Sequence, residues 1–502
     1  MIASRRSAGR TVALVLGVLA IVASACTGPQ AIDPPKPGEG ATICGNARPG
    51  PAEPPSGAVI VDPGVTGDLT TATNRNPRGT TFWLAPGVHT LGPGQYDQVA
   101  PKDGSRYVGA PGAVLDGDDR NRYAFTGKAA GVTITHLTVR NFVPPVNEGV
   151  VNHDSGNGWT IAHNTLIDNT GAAMMAGSRQ RIIGNCVKNN GQYGLNAFQA
   201  GNQLHDILLR DNEFVGNNTD DLENQIPGCG CTGAMKFWSV DGADIAGNWI
   251  HHNHGPGIWA DTNNNDFLIE NNLIEHNDGA AIIYETSYNA IIRDNALRGN
   301  NWAAGREFAI RADNFPVAAL YISESGGEPR VPARTGKIEV YRNTFKNNWS
   351  GITLWENADR FCNSPANTSR GICTLLVDTP RRCARPEIAT APLYDDCRWK
   401  TQRVDIHHNR FLLDPEVVGC RVLCARMAVV ANFGTFPGWS PYRGDEVREA
   451  ITEEQRNRWH HNDYRGPWTF SAYDTNISIS FTQWRAAPYL QDTGSTFVPV
   501  SE

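Results

Sequence analysis

Three acidic residues share one position in a repeated sequence pattern, and their types and spacing could carry out acid–base chemistry. Asp261, Glu285 and Glu356 each follow the second Asn of a repeat by eight residues. If the repeats stack, the same position recurs at about 5 Å, the distance between neighbouring strands. Two carboxylates this close cannot both ionise freely, so the pKa of one rises and a proton donor stands beside a proton acceptor. Cleavage of a glycosidic bond needs this pairing, with a short separation for retention and a longer one for inversion.

A cation and several aromatic residues accompany the acids. The repeat before Asp261 has Lys236 and Trp238 near the equivalent position, and Trp259 and Tyr284 lie beside the acids in sequence. We predict that Asp261, Glu285 and Lys236 are catalytic. The predicted substrate-binding residues are Trp238, Trp259, His254, Tyr284, Glu356 and Arg311.

Two of these residues are predicted from their immediate neighbours. His254 follows Asn253 and precedes Gly-Pro-Gly, so it is either a turn residue or a substrate contact. Arg311 belongs to a charged cluster that opens an insertion, and an arginine there could clamp a carboxylated sugar. The acids could instead hold Ca²⁺ for a lyase, with Lys236 or an arginine as the base. In the simplest alternative the acids are solvated residues that end strands.

The pattern that positions these residues is short and regular. An aliphatic residue is followed by Asn after three positions, a large apolar residue after five and a second Asn after eight. The full copies are Ile161/Asn164/Leu166/Asn169, Ile182/Asn185/Val187/Asn190, Leu209/Asn212/Phe214/Asn217, Ile245/Asn248/Ile250/Asn253, Ile269/Asn272/Ile274/Asn277, Ile292/Asn295/Leu297/Asn300 and Val340/Asn343/Phe345/Asn348. An eighth copy, Ile406/Asn409/Phe411, ends with Asp414.

Close copies recur every 21 to 27 residues, a period that suits one coil of a strand solenoid. One coil cannot bury its inward face alone, so the coils must stack. Asn tolerates the left-handed conformation of a sharp bend. Stacked Asn amides can also hydrogen-bond to one another in a ladder.

These copies resemble the right-handed parallel β-helix of pectin-lyase-like proteins, and the resemblance covers Ile161 to Asp414. It implies an all-β solenoid, and we expect an N-terminal cap and a small α+β cap at the C-terminus. Many proteins of this kind act on polysaccharides, although a fold does not dictate a function. The chain carries neither the Arg-x-Pro-x-x-Arg-x-Gly signature of pectate lyases nor the set of polygalacturonase motifs, so no catalytic residue is carried over from either family.

The chain begins with an export signal. Residues 1–26 combine a basic leader, an apolar run from Val12 to Ala23 and small residues before Cys26. The apolar run is shorter than a membrane span. Cys26 resembles the lipidated cysteine of bacterial lipoproteins, so we expect a lipid anchor on the extracytoplasmic face of the cell membrane, or plain secretion as the alternative.

The remaining boundaries follow composition. We expect a Pro/Gly-rich tether over 27–57, the β-helix over 58–431 and a capping segment over 432–502. Insertions near 219–232, 302–336 and 360–404 interrupt the repeats. Long loops on a regular scaffold are common places for binding surfaces.

Charge and cysteine content narrow the class of protein further. A net charge of -7 gives no reason to expect nucleic acid as a partner. Of the eleven Cys residues, ten remain beside Cys26, an even number that suits disulfides in an exported chain. Cys229 and Cys231 flank a single glycine, and we expect each to pair elsewhere.

We therefore predict a monomeric, surface-anchored protein that cleaves a polysaccharide or cell-wall glycan, as a glycoside hydrolase or a polysaccharide lyase. The alternative is a noncatalytic glycan-binding or adhesive lipoprotein.

Overall fold

The computed structural model describes residues 43–499, except 363, 366–380, 384, 392, 421, 433–435, 443–446 and 449. Its strands form three sheets, and every named strand pair is parallel. Successive coils of the chain add one strand to each sheet in turn, so the sheets run side by side along one solenoid. The predicted all-β parallel helix is confirmed.

The strands of sheet 1 are Val59–Val61, Thr81–Leu84, Arg106–Gly109, Thr133–Thr135, Thr160–Ala162, Arg181–Ile183, Leu204–Arg210, Val240–Ala246, Asn265–Glu270, Ala290–Arg293, Ile338–Tyr341, Val404–His407 and Arg458–His460. Those of sheet 2 are Gly87–Thr90, Ala113–Asp116, Thr138–Arg140, Thr165–Ile167, Cys186–Lys188, Glu213–Val215, Trp249–His251, Leu273–Glu275, Ala296–Arg298, Thr344–Lys346, Arg410–Leu412, Asp463–Arg465 and Thr496–Val498. Those of sheet 3 are Gly149–Val151, Ala172–Met175, Leu195–Ala197, Met235–Phe237, Ile258–Ala260, Ile282–Glu285, Leu320–Ser323, Ile352–Asn357, Arg426–Asn432 and Thr469–Tyr473.

Helices are short and lie in the connections. The α-helices are Asp68–Arg75, Leu222–Gln225, Trp302–Ile310, Leu393–Asp396, Pro415–Val418 and Phe481–Arg485. A 3₁₀ turn covers Pro386–Ala389 and a π turn covers Ala450–Glu454.

The repeated apolar residues form the core. Ile245, Ile269 and Ile292 pair in register in sheet 1, and each is 0% exposed. Ile250, Ile274 and other residues of the second apolar position do the same in sheet 2. Stacking thus removes from water the face that a single coil could not bury.

The repeated Asn residues form two hydrogen-bonded ladders inside the bends. Except at the last Asn of each ladder, the amide nitrogen donates to the Asn side-chain oxygen of the next coil at 2.9 to 3.2 Å. The predicted ladders are confirmed, but the left-handed residue is the one before each Asn. Asp294 and Arg342, for example, have φ values of 56° and 54°. The Asn itself keeps a conformation in which its buried side-chain amide hydrogen-bonds to both neighbouring coils.

Part of the predicted tether lies on the solenoid. Cys44 forms a disulfide with Cys186, and the backbone amides of Ile43 and Cys44 each donate to Glu213 at 2.7 Å. The carbonyl of Arg48 contacts the ring of His136 at 3.0 Å. Residues 43–57 are therefore not a free spacer, because the body supplies hydrogen-bond partners that this Pro/Gly-rich segment cannot supply itself.

The solenoid also continues beyond residue 431, where we predicted a cap. Trp459 pairs with Ile406 in sheet 1, and Tyr464 pairs with Phe411 in sheet 2. Asn462 joins the first ladder through Asn409. This further coil was missed because aromatic residues occupy its two apolar positions. The helix Phe481–Arg485, which starts with a capping box at Ser480, follows it.

The expectation for Cys229 and Cys231 is wrong. The two cysteines are bonded to each other, with their Cα atoms 5.2 Å apart. Gly230 adopts a φ of +59°, a left-handed turn that brings the neighbouring Cα atoms within the ordinary range for a disulfide.

Candidate functional site

The candidate site lies on sheet 3 and takes one acid from each of two neighbouring strands. Ala260 pairs with Tyr284, so the residues that follow them, Asp261 and Glu285, occupy the same position in adjacent coils. Inward-facing residues alternate with outward-facing ones along a strand. Ala260 and Tyr284 are 0% exposed, and the two acids point to the other face.

Asp261 is held by a lysine and a hydroxyl. Lys236 Nζ lies 2.9 Å from Asp261 Oδ2, and the hydroxyl of Thr262 donates to Asp261 Oδ1 at 2.9 Å. The same ammonium donates to the carbonyl of Gly230 at 2.6 Å and lies 3.9 Å from the centre of the Trp259 ring. The disulfide-closed turn at 229–231 therefore helps to place the lysine beside the acid.

Glu285 is held from two sides. The indole nitrogen of Trp259 donates to Glu285 Oε2 at 3.1 Å, and Arg360 Nη1 donates to Glu285 Oε1 at 2.8 Å. Arg360 also donates to Glu324 Oε2 at 2.6 Å. Trp259 thus connects the two halves of the site, with its ring against Lys236 and its N–H on Glu285.

The electrostatics favour a proton on the carboxyl groups around Arg360. Burial, and then the charge of Asp261, raise the pKa of Glu285, although Arg360 opposes the shift. Burial raises the pKa of Glu324 to about 8, again against Arg360. One guanidinium cannot neutralise both carboxylates, so the pair retains a proton that exposed glutamates would lose.

Two predicted substrate-binding residues do not face solvent. Tyr284 is fully buried, and its hydroxyl donates to the backbone carbonyls of Tyr288 and Asn289. Glu356 is 0% exposed and is bound by Arg398 and Gln455. The prediction that these two side chains contact substrate is wrong.

The misplacement of Glu356 has a simple cause. Strands of sheet 3 begin five residues after Asn253 and Asn277, but the strand Ile352–Asn357 begins four residues after Asn348. The shorter turn moves Glu356 one position along, so Trp355, and not Glu356, pairs with Ser323 in the column of the two acids.

The remaining predicted residues lie around this centre or apart from it. Trp238 is half-buried and follows Phe237, the partner of Ala260, so it occupies the position next to Asp261. His254 is half-exposed and contacts Asp278 at 3.0 Å. It lines a groove of about 510 Å³ together with Glu223, whose carboxylate accepts from Gly230. Arg311 pairs with Glu307 at 2.7 Å on the exposed face of the helix Trp302–Ile310.

Sequence reasoning missed Arg360 and Glu324. Arg360 lies 75 residues from Glu285 in the chain and belongs to no motif. Glu324 follows a sheet 3 strand, Leu320–Ser323, which sits inside the predicted insertion 302–336 and lacks the Asn pattern. A search for a further whole coil within each insertion could have found Glu324.

Two further properties concern the described residues alone. Among them, no group of three or more His, Cys, Asp or Glu side chains is arranged to hold a metal ion. In the same part of the chain, every helix is too short or too polar to span a membrane.

The three long parallel sheets and the repeat define the class: the chain is a right-handed parallel β-helix protein. Residues 148–363 match the family model described as "Right handed beta helix region". A comparison with curated proteins finds no match.

Several solved structures resemble this chain at low identity and with TM-scores below 0.5. The mannuronan C-5 epimerase A-module of Azotobacter vinelandii is 14% identical, with a TM-score of 0.42, over 60% of this chain and 91% of that one. An alginate lyase from Paenibacillus is 13% identical, with a TM-score of 0.34, over 59% and 90% of the two chains. The surface adhesin PfbA of Streptococcus pneumoniae is 9% identical, with a TM-score of 0.36, over 58% and 80%.

Proposed function

We propose that this protein cleaves a polysaccharide by hydrolysis at the Asp261–Glu285 pair on sheet 3. One observation carries the proposal. Glu285, whose pKa is raised by burial and by Asp261, lies beside that carboxylate in the neighbouring strand. A glycosidase needs this combination of a proton donor and a carboxylate.

Each residue has a role that its contacts support. Glu285 would give its proton to the leaving oxygen, with Trp259 and Arg360 fixing its two carboxyl oxygens. Asp261 would act as base or nucleophile, oriented by Lys236 and Thr262. Arg360 would position Glu285 and Glu324 together, and the buried Glu324 would keep a proton close to Glu285. The Trp259 ring would form part of the floor under the sugar.

Hydrolysis fits these contacts better than β-elimination with Lys236 as the base. The lysine already donates to Asp261 and to the Gly230 carbonyl. An amine that donates to two acceptors and faces an indole ring is used as a cation, whereas a lyase base must accept a proton.

A second candidate function is noncatalytic glycan binding. The observation that favours it is that each of the three acids at the site already contacts a cation. Lys236 pairs with Asp261, and Arg360 pairs with Glu285 and Glu324. A face of paired charges and an indole edge could hold a glycan without cutting it.

The deciding experiment compares wild type with Asp261→Asn and Glu285→Gln on a panel of cell-wall and plant polysaccharides. New reducing ends report hydrolysis, and absorbance near 235 nm is recorded in parallel as the usual signature of an unsaturated uronate, which reports elimination. We expect each variant to lose cleavage by roughly 100-fold or more, the range for removing an acid or base.

Glu275→Gln is the matched control. Glu275 accepts a hydrogen bond from the Trp249 indole at 2.9 Å, the same kind of contact that Trp259 makes with Glu285, but it lies on sheet 2. This control should leave cleavage unchanged. Glycan binding without cleavage by the wild type, with binding kept in both site variants, would replace the hydrolase proposal with the binding one.

We also propose that the mature chain is a lipoprotein anchored through Cys26. This residue lies outside the described residues, and the proposal depends on the signal sequence alone. Expression of wild type and Cys26→Ser in a bacterial host, followed by detergent phase partitioning, tests it. Wild type should enter the detergent phase and Cys26→Ser should not. If both proteins stay in the aqueous phase, Cys26 carries no lipid.

A further inference from the structure

A column of cations runs across three successive coils at the edge of sheet 1. Ile338 pairs with Val404, which places Lys337 beside Arg403, and Asp405 pairs with Arg458, which places Arg456 beside Arg403. Lys337, Arg403 and Arg456 thus occupy one position just before three neighbouring strands. The strand spacing sets them about 5 Å apart along the solenoid axis, and Arg458 adds a fourth cation.

The column has too few acids to neutralise it. Lys337 Nζ contacts Asp405 at 2.8 Å, and the other oxygen of Asp405 contacts His460 at 3.0 Å. In the described part of the chain, no carboxylate oxygen lies within the 4.0 Å ion-pair limit of the Arg403, Arg456 or Arg458 guanidinium groups. These arginines line a cavity of about 200 Å³ with Lys337 and Asp405.

The positive charge of this column is opposite in sign to the net charge of the protein. The chain carries a net charge of -7, yet four cations and a single carboxylate line this cavity. Arg403 also acts on the charge of Glu328, which Arg330 already holds. Like charges held at strand spacing repel one another, and an external anion relieves this repulsion. The guanidinium group of arginine donates paired hydrogen bonds to planar or tetrahedral oxyanions.

We propose that the Lys337–Arg403–Arg456 column, with Arg458, binds an acidic polysaccharide through carboxylates or sulfate esters repeated along its chain. Cations repeated along the solenoid axis fit a linear polymer better than a single small anion. The choice of a polysaccharide rests on the proposed function, whereas the column itself does not. The site is separate from the acids of sheet 3, because its residues belong to sheet 1 and to later coils.

The test measures glycan binding by full-length protein with Arg403, Arg456 and Arg458 all changed to Gln. The control changes Arg106, Arg179 and Arg181 to Gln. Arg106, Arg179 and Arg181 are exposed, and no described carboxylate pairs with them. The two variants have the same net charge, so a general electrostatic effect would weaken both alike. The probes are polygalacturonate, dextran sulfate and uncharged dextran, measured by calorimetry at low and high salt.

We expect the column variant to bind polygalacturonate, dextran sulfate or both about tenfold more weakly than wild type at low salt, with a smaller difference at high salt. The control should stay within about twofold of wild type. The two acidic probes separate carboxylate recognition from sulfate recognition.

Unchanged binding by the column variant, or an equal loss in the control, would overturn the inference. Cleavage is scored on the same samples with wild type and Asp261→Asn. A failed binding test with intact cleavage therefore leaves the hydrolase proposal standing, and retained column-dependent binding without cleavage rejects only the hydrolase proposal.

Discussion

At the scale of single residues, the site is defined by buried carboxyl groups that outnumber the cations beside them. Arg360 contacts both Glu285 and Glu324, and Glu324 is 1% exposed. Because removing these groups from water costs more for the charged form, the proton is retained. The raised pKa values at this point are the physical basis of the proposed acid.

The pH dependence of stability provides a test at this scale. The pKa of Glu324 rises from 4.5 to about 8, so the folded protein binds a proton that the unfolded chain releases. A pKa raised on folding gives stability that is present at low pH and is lost as pH rises through this window. We expect Glu324→Gln, which stays neutral, to gain stability over wild type as pH increases from about 5 to about 8.

Urea unfolding midpoints of the two proteins across this range measure the effect. Glu328→Gln is a useful contrast. Although burial alone would raise the pKa of Glu328, its hydrogen bonds with Arg330 lower it overall. Its contribution is lost only as the pH falls below about 4.5, so the curves for wild type and Glu328→Gln should stay parallel between about pH 5 and about pH 8. Parallel curves for wild type and Glu324→Gln would contradict the assignment of the proton to Glu324.

At the scale of elements, the Asn ladders determine how accurately one coil sits on the next. Asn272 donates to Asn295 and to the carbonyl of Ile245, and its oxygen accepts two bonds from Asn248. All of these groups are buried. A buried polar group left without a partner costs about 1–3 kcal/mol.

Replacing Asn272 with Ala should therefore lower the free energy of unfolding by about 3 kcal/mol or more, because several buried groups lose their partners together. The exposed Asn202, whose amide donates only to the carbonyl of Ala200, is the control, and Asn202→Ala should change the unfolding midpoint little. Urea denaturation followed by tryptophan fluorescence measures both. Equal midpoints for the two variants would show that the ladder contributes little to stability.

At the scale of the whole molecule, the ends of the solenoid must be closed. The last coil is covered by the strand Thr496–Val498, which pairs with Asp463–Arg465. The buried Asp492 accepts hydrogen bonds from Asn462, Tyr464 and Trp484. An open parallel edge would otherwise be free to pair with another chain.

A chain shortened to end at Tyr473 should therefore self-associate, because it exposes this edge and the aromatic core behind it. A chain ending at residue 499 keeps both the strand and Asp492, and we expect it and the full-length protein to be monomeric. Light scattering after size-exclusion chromatography measures the mass of each. A monomeric, equally stable short chain would show that residues 474–499 are not needed as a cap.

The sequence by itself determined the solenoid, its core and its ladders. These features repeat at fixed short spacings, as in Ile269, Asn272 and Ile274, and each repeat needs the same partners above and below it. Asp261, Glu285 and Lys236 were found for the same reason, since two of them share an offset within a regular repeat and the third lies close to it. The aromatic coil around Trp459 and Tyr464 was missed because its apolar positions do not look aliphatic.

Only the tertiary structure decided which charged side chains from the insertions contact the acids of sheet 3. Glu356 moved out of the site through a turn shortened by one residue, and Arg360 entered it from a segment 75 residues away in the chain. The cation column, in contrast, follows the repeat, because Lys337 and Arg403 each precede the aliphatic residue of a copy by three positions and Arg456 has the same place in the missed coil. Periodicity predicts contacts between equivalent positions of successive coils, but it carries no information on where an irregular insertion returns its side chains.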